Sequence, residues 1–452
     1  MTVPWWGILP FVAMLLSIAI APLVPSLAHH WEKWQTQLGV ALVLGLPVAA
    51  WVWFSGHHHL VTHSVLEYIS FIALLFALYV ISGGIHLAGD IRATPHNNTV
   101  FLAIGAVVAS FVGTTGAAML LIRPILNTNR ERRFKVHTIV YTIFIVANCG
   151  GLLTPLGDPP LFLGYLRGVP FTWTFTLLPE WLFINILLLV SYYGLDKMML
   201  SREDAADVLR DRTDIEPLKL HGKIHFLYLL GVVATVAFLS TPLRELALLG
   251  LAAASLLTGR KEVRWKLNEY SWAPIVEVAC LFIGIFLTMI TALQYLDSMA
   301  PKLPLNEITF FVFTGGLSSV LDNAPTYATF FELAGQLPGG PLVAGVPEAY
   351  LVAVSLGAVT MGAMTYIGNG PNFMVRSVAE NHGTQMPSFA GYVVWSLREL
   401  GPVLAAMVLL FIADPLWCKA IGALITLVIV GNAVRRVLAS RRSVADQLDA
   451  AS

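Results

Sequence analysis

Two acidic residues, Asp158 and Asp322, lie inside long apolar segments that glycine, proline, threonine and asparagine interrupt. An acid at the centre of a bilayer costs about 2.5–3.5 kcal/mol on insertion scales, so its presence there indicates a functional role. A carboxylate shielded from water resists ionisation until a cation binds, and one site then holds a sodium ion or a proton but not both. The two acids therefore predict a site for sodium or another monovalent cation that competes with protons. Asp158 also precedes Pro159 and Pro160, so it can cap a helix, and capping is compatible with ion binding.

Four interruptions of this kind occur, at residues 114–116, 154–160, 322–326 and 365–372. Irregular backbone is tolerated at membrane depth only where it is buried or lines a cavity. The starts of half-helices favour anions, whereas unwound carbonyl and carboxylate oxygens favour cations. We predict that the four interruptions converge on one ion or substrate site. Its predicted residues are Thr114, Thr115, Thr154, Asp158, Asp322, Asn323, Thr326, Thr365, Asn369 and Asn372, with Asp158 and Asp322 as the sodium ligands.

For the other polar residues near apolar segments we predict structural roles. Glu67 and Glu277 lie where spans are predicted to start, and we interpret them as interfacial caps. We expect Arg123 to extend its charged end to the membrane surface. The run of histidines at 57–59, with His63, is assigned to a solvated outer loop rather than to a metal site.

The composition places these residues in a membrane protein. The chain has 452 residues, of which 57% are hydrophobic and 12% charged, against about 25% charged in soluble domains. Its mean hydropathy is +0.73. The net charge is zero, which removes the electrostatic basis for nucleic-acid binding. No nucleophile–base set, phosphate loop or dinucleotide motif is evident, so we expect a protein that is not an enzyme and has no cofactor.

The apolar segments predict an all-α polytopic membrane protein with about eleven transmembrane helices and two re-entrant hairpins. Segments of about 20 apolar residues are long enough to cross a bilayer. The predicted spans are residues 7–27, 38–54, 66–88, 136–168, 174–200, 223–241, 246–259, 272–296, 347–378, 388–412 and 415–434. The stretches 99–127 and 306–335 are interrupted in the middle, and we interpret them as hairpins that enter and leave the membrane on the same side.

Lysine and arginine in short loops set the predicted orientation. The basic segments 130–135 and 260–266 and the tail from Arg435 should face the cytoplasm, whereas loops 55–65 and 336–347, which lack both residue types, should face outward. The N-terminus is then outside and the C-terminus inside. We expect a multi-pass protein of a bacterial inner membrane, with the lipid bilayer as its main partner.

An internal repeat divides the chain into equivalent halves. The matched pairs, with their offsets, are 67–76 and 277–286 (210), 110–116 and 318–324 (208), and 151–162 and 362–373 (211). Loop charge changes sides between equivalents, as in transporters built from inverted repeats. The predicted domains are an inverted five-helix repeat at 1–200, a cytoplasmic linker at 201–222, the second repeat at 223–412, and a last helix with a cytoplasmic tail at 413–452.

Two motifs resemble a known family. Leu317–Thr326 (LSSVLDNAPT) is similar to the second-half hairpin signature of NhaD-type sodium/proton antiporters, and Gly150–Asp158 (GGLLTPLGD) is similar to their first-half signature. Both motifs indicate the ion transporter superfamily, which also includes CitMHS-like citrate carriers, arsenite permeases and sodium–dicarboxylate symporters. The first hairpin reads GTTGAA at 113–118, where that family has an Asp-Asn pair. The resemblance implies a homodimer.

Three hypotheses follow. The first is sodium/proton antiport, with Asp158 and Asp322 as the carboxylates that bind the proton or the cation. The alternative is sodium- or proton-coupled symport of citrate, a dicarboxylate or another small organic anion, or arsenite efflux. The third is a passive channel or a membrane scaffold, against which the paired hairpins and midplane acids weigh.

Overall fold

The computed structural model describes residues 3–31, 33–204, 219–299 and 304–449. The described chain is mostly helical, and eight of its helical segments are long and apolar enough to cross a membrane. These segments confirm the predicted all-α polytopic membrane fold. They are Trp34–Phe54, His58–Ser82, Pro95–Val112, Val136–Leu153, Phe171–Leu200, Ala273–Leu296, Phe389–Ile412 and Leu416–Ser440.

The α-helices up to residue 204 alternate with short 3₁₀ turns where proline or glycine interrupts the helical hydrogen bonds. They are α1 (Leu9–Ile20), α2 (Pro25–Trp31), α3 (Trp34–Phe54), α4 (His58–Ser82), α5 (Pro95–Val112), α6 (Thr114–Thr128), α7 (Val136–Ile145), α8 (Pro159–Leu166) and α9 (Leu178–Leu200). The 3₁₀ turns are Trp5–Ile8, Ala21–Leu23, Cys149–Leu153 and Phe171–Leu177.

The α-helices after residue 219 are likewise interrupted by short 3₁₀ or π-helical segments. They are α10 (Ile224–Phe238), α11 (Leu243–Thr258), α12 (Ala273–Met299), α13 (Glu307–Ser318), α14 (Asn323–Gly335), α15 (Glu348–Met361), α16 (Gly370–Asn381), α17 (Phe389–Trp395), α18 (Gly401–Met407) and α19 (Leu416–Asp449). Gly362–Met364 is a 3₁₀ turn, and Val263–Leu267, Ser396–Leu400 and Val408–Ile412 are π-helical. Two antiparallel strand pairs complete the described chain, β1 (His86–Ala88) with β2 (Lys219–His221) and β3 (Leu342–Val343) with β4 (Val346–Pro347).

Several predicted boundaries are wrong. The span predicted at 66–88 begins eight residues earlier, at His58, and ends at Ser82. His58, His59 and His63 therefore lie on α4 rather than in a loop. Where about eleven spans were predicted, the described residues form the eight long segments together with shorter apolar helices at 5–20, 224–238, 307–318 and 348–364. The reason is that glycine and proline divide several of the apolar stretches.

The chain forms two compact units, each built from three separate segments. The first unit comprises Met1–Gly84, Pro159–Phe171 and Ile224–Ala358, and the second comprises Ile85–Asp158, Thr172–Lys223 and Val359–Ser452. The predicted repeats at 1–200 and 223–412 describe sequence equivalence, and they stay a prediction. Residues 205–218 of the predicted linker and 450–452 of the predicted tail lie outside the described residues.

Local structure recurs at the offsets that the sequence repeat uses. Thr154 and Thr365, 211 residues apart, each follow a 3₁₀ turn and have extended backbone, with φ of −140° and −135°. The Ser110 hydroxyl donates to the carbonyl of Gly150 within the second unit, at 2.5 Å. The Ser318 hydroxyl donates to the carbonyl of Ala358 within the first unit, at 2.7 Å, and both residues are displaced by 208. A similar hydrogen bond thus occurs in each unit, and the predicted repeat stays a prediction.

Candidate functional site

The first interruption joins α5 to α6 through a single glycine. Gly113 has a φ of +86°, a left-handed conformation that glycine adopts without a steric penalty. The turn allows α6 to start at once at Thr114, so the predicted hairpin contains two helices that meet at 113. Thr115 follows in the first turn of α6 and is half-buried.

Asp158 lies against this helix start. The Thr114 hydroxyl donates to Asp158 Oδ1 at 2.7 Å, and the Thr114 amide donates to the Gly157 carbonyl at 2.8 Å. Thr154 is held in the same place, because its hydroxyl donates to the Ser110 carbonyl. Within the second unit, the structure thus brings together Thr114, Thr154 and Asp158, all of which are buried.

The backbones at this point are too close for any side chain. A Cβ built on Gly157 would lie 2.0 Å from the carbonyl oxygen of Gly151, and one built on Gly151 would lie 2.7 Å from Cγ2 of Thr114. Small residues at 151 and 157 are therefore what lets the loop that carries Asp158 reach Thr114.

Gly157→Ala should accordingly prevent correct folding of this region. The methyl group overlaps backbone, which cannot rotate away, so we expect a loss of about 3 kcal/mol or more, at the upper end of overpacking costs. Thermal unfolding of the purified protein in detergent measures the effect. Gly431→Ala is the control, because a Cβ there meets nothing within 4 Å. Equal unfolding temperatures for the two variants would contradict the close approach.

Three buried asparagines form a second cluster in the same unit. Asn148 Nδ2 donates to Asn372 Oδ1 at 2.7 Å, and Asn369 Nδ2 donates to Asn148 Oδ1 at 3.0 Å. The remaining N–H groups donate to backbone carbonyls of Ile143, Ala147, Gly362 and Thr365. The cluster therefore ties the interruption after α7 to the one before α16, and it satisfies carbonyl groups that the helices leave open.

Thr365 organises the turn before α16. Its hydroxyl accepts hydrogen bonds from the amides of Ile367 (3.2 Å) and Gly368 (3.1 Å). Its carbonyl accepts the Asn372 side chain at 2.9 Å. Helix α16 also packs against α6 and α7. The second unit thus contains the predicted residues Thr365, Asn369 and Asn372 together with those around Asp158.

The first unit contains the other predicted residues. Asp322 caps α14: its Oδ1 accepts the Ala324 amide at 3.2 Å, and its carbonyl accepts the Thr326 hydroxyl at 3.1 Å. Asn323 and Thr326 are buried. The division into two units leaves the predicted convergence of all four interruptions untested.

Sequence reasoning missed the buried side chains of Asn148 and Arg167, and it misplaced Glu67. Asn148 stands in an apolar run directly before the glycine pair at 150–151, and this isolated carboxamide was the available signal. Glu67 was interpreted as a cap, but it lies in the third turn of α4. Its Oε1 is 3.2 Å from Nε of Arg167, a residue that carried no prediction.

Another buried ion pair attaches the last helix within the second unit. Arg436 of α19 contacts Glu399 at 2.8 Å, and the Tyr141 hydroxyl donates to the same carboxylate at 2.9 Å. Glu399 lies in the π-helical segment Ser396–Leu400, where the backbone is locally widened. The contact is structural in character, since it joins two helices at side chains that are mostly buried.

We expect Arg436→Ala to destabilise the protein strongly. Removing Arg436 leaves the buried Glu399 charge with only the exposed Arg398 guanidinium, at 3.3 Å, as an ion-pair partner among the described residues, so we expect a loss of about 3 kcal/mol, the lower end of the cost for buried pairs. Thermal unfolding in detergent reads out the change. The double variant with Glu399→Gln should recover much of the loss, because no uncompensated charge remains. A double variant less stable than Arg436→Ala would contradict this account.

Apolar spans with interrupted helices, buried acids and buried amides are the features of a multi-pass membrane transporter. The family model described as "Putative citrate transport" matches residues 1–412, and the chain belongs to this family. It is also 24% identical over 411 residues to uncharacterized transporters of Mycobacterium bovis and Mycobacterium tuberculosis. Each alignment covers 84% of this chain and 92% of the relative.

Proposed function

We propose that this protein transports citrate or a similar small carboxylate across the membrane in a cation-coupled cycle. The observation that carries the proposal is the oxygen-rich site of the second unit, where Asp158 and Thr114 lie in a chain of the citrate-transport family. Sodium is the proposed coupling ion, with protons as competitors for the same carboxylate.

The hydrogen bonds of the asparagine cluster favour a cation at this site. The side-chain N–H groups of Asn148, Asn369 and Asn372 make six hydrogen bonds within the protein, two from each amide. These amides are thus donors to the protein itself. The side-chain oxygens of Asn148 and Asn372 each accept one of these bonds, and a carbonyl oxygen has a second lone pair that can bind a cation. Carboxylate, hydroxyl and carbonyl oxygens are the ligands that hard cations prefer. We therefore give Asn148 a positioning role and keep Asn369 and Asn372 as proposed oxygen ligands.

A carboxylate substrate requires such a cation. Citrate carries up to three negative charges, and these repel an ionised aspartate strongly where water is excluded. A bound cation cancels that repulsion, so substrate binding becomes conditional on cation binding. The starts of α6 and α16 supply the partial positive charge that a carboxylate group favours. Cation and anion therefore help each other to bind, which is the physical basis of symport.

Sodium/proton antiport is the second candidate. It is favoured by the same oxygen-rich site, which accounts for cation binding without any anion, and by the motif at Leu317–Thr326. Proton competition at Asp158 or Asp322 supplies exchange in that case. For both candidates we propose that the protein lies in a bacterial inner membrane with its N-terminus outside. We also propose that it is a homodimer.

Proteoliposomes distinguish the candidates. Radiolabelled citrate uptake is measured with and without a sodium gradient, and an internal pH dye records proton movement after sodium is added without citrate. Sodium-dependent citrate uptake supports the symport. A sodium-dependent proton flux that needs no citrate supports antiport, and the absence of both signals rejects both functions.

A further inference from the structure

A cluster of charged residues in the first unit lies outside the site described above. Arg167, directly after α8, is shared between two glutamates: its Nε is 3.2 Å from Glu67 Oε1 of α4, and its Nη1 is 3.1 Å from Glu332 Oε1 of α14. The same Nη1 donates to the Ala328 carbonyl at 3.0 Å. One guanidinium therefore connects an uninterrupted helix to two half-helices that begin at the interruptions after Asp158 and Asp322.

The charges of this cluster do not balance. Two carboxylates share one arginine, which leaves a net charge of −1 for Glu67, Glu332 and Arg167 together. The side chains of Glu67 and Arg167 are 9% and 7% exposed, whereas Glu332 is 35% exposed and can be hydrated. In a region of low dielectric, an uncompensated negative charge is costly, and binding of one proton removes it. Glu67 is the more buried of the two carboxylates.

The two oxygens of Glu67 face different partners. Oε1 faces Arg167, and Oε2 is 3.9 Å from Nδ1 of His63, one turn earlier on α4. The His63 side chain is 71% exposed. An imidazole can take up and release protons between about pH 5 and 8, so it suits a relay between water and a buried acid. The geometry gives Glu67 one oxygen for the ion pair and one for a proton.

The remaining charged and titratable groups on elements around α4 have partners of their own. Glu245 of α11 accepts hydrogen bonds from Ser70 and from Arg244. Glu277 of α12 accepts the Gln37 side chain, and the Tyr68 hydroxyl donates to the Ala279 carbonyl. Other such groups close to α4 or α8 include His225 of α10, Arg264, which donates to the Val80 carbonyl, Tyr270, which packs on Tyr79, Tyr165 of α8 and Tyr327 of α14.

We propose that Glu67 binds a proton during transport and that its charge decides how firmly Arg167 holds α4 to α8 and α14. The proton leaves the His63 imidazolium and forms an O–H bond at Glu67 Oε2. The contact between Oε1 and Arg167 then changes from an ion pair to a hydrogen bond with a neutral acid. Arg167 keeps Glu332 and the Ala328 carbonyl, so the two half-helices stay joined while their attachment to α4 weakens. The inference rests on the proposed coupled transport and adds a proton site separate from Asp158 and Asp322.

Proteoliposomes with radiolabelled citrate test the proposal. A gradient of one pH unit raises accumulation about tenfold for each coupled proton. We expect Glu67→Gln, which mimics the protonated acid, to lose this pH-driven accumulation while keeping citrate exchange between equal concentrations on the two sides. Glu67→Asp should retain part of the pH dependence. Glu380→Gln is the matched control, because Glu380 forms an exposed pair with Arg376 at 3.0 Å.

Two results would overturn the inference. One is wild-type pH-driven accumulation by Glu67→Gln. The other is equal loss of exchange and accumulation in a Glu67→Gln protein whose unfolding temperature is normal, which would indicate a merely structural ion pair. If wild type moves no citrate, the proposed function fails, and infrared spectroscopy decides the inference alone. On acidification, wild type should gain a protonated-carboxyl band that Glu67→Gln lacks, and identical spectra would reject the proton site.

Discussion

Asp158→Asn should reduce sodium-coupled citrate uptake by about 100-fold. The substitution keeps the size of the side chain and an oxygen that can accept the Thr114 hydroxyl, but it removes the charge proposed to attract the cation. Interactions with a charged partner contribute about 1.5–3 kcal/mol, and about 2.8 kcal/mol corresponds to that factor. Initial uptake rates in proteoliposomes at several sodium concentrations measure the effect. The loss should appear mainly as weaker dependence on sodium.

Variants of Thr114 provide the matched controls for this prediction. Thr114→Ser retains the hydroxyl and should keep most of the uptake, whereas Thr114→Val removes it and should weaken sodium dependence about tenfold. Asp322→Asn tests the acid of the first unit in the same assay. If the Asp158→Asn protein transports citrate with the same sodium dependence as wild type, Asp158 is excluded as the cation site.

Asn148→Leu should destabilise the protein by about 3–9 kcal/mol, since three hydrogen bonds disappear and three buried polar groups lose their partners at about 1–3 kcal/mol each. The affected groups are Asn369 Nδ2, Asn372 Oδ1 and the Ile143 carbonyl. A loss of this size is a large fraction of the stability of most proteins, so little folded protein should be recovered from membranes. Thermal unfolding and the yield of monodisperse protein are the measurements.

The control for Asn148 is a half-buried asparagine at the start of α5. Asn97→Leu removes an exposed side-chain bond to the Arg92 carbonyl and should change stability by no more than about 0.5 kcal/mol. The pair Asn148→Leu and Asn372→Leu should be strongly non-additive, because both side chains belong to one cluster. Additive losses would show that the two asparagines act independently, contrary to the proposed positioning role.

Local sequence signals were sufficient to predict the class of protein and the presence of interrupted helices. High apolar content with few charges predicts membrane spans, because lipid solvates only such surfaces, and the structure confirms the polytopic helical fold. Glycine, proline and threonine at 114–116 and 154–160 predict breaks, because each acts on the backbone of its own segment. The second break lies within its predicted range, between Leu153 and Pro159, whereas the first lies one residue earlier than predicted, at Gly113, and residues 114–116 form the first turn of α6. The assignment of Thr114, Asp158 and the other named residues to one ion site stays a prediction.

The sequence could not predict which buried polar side chains pair with each other in the fold. Asn148 forms a hydrogen bond with Asn372, 224 residues away, and Glu67 forms one with Arg167, 100 residues away. No local pattern encodes such pairs, since any buried amide or acid is compatible with many partners until packing selects one. The start of α4 was misplaced because histidines have no strong helix or loop signal.

The sequence by itself determined a membrane protein with acids, amides and hydroxyls at interrupted helices, because composition and backbone breaks are properties of single segments. Only the tertiary structure decided that the amides of Asn148, Asn369 and Asn372 donate to each other and to open backbone. It alone decided that Arg167 is shared by two glutamates. Hydrogen-bond direction and charge balance depend on which groups packing brings within about 3 Å of one another.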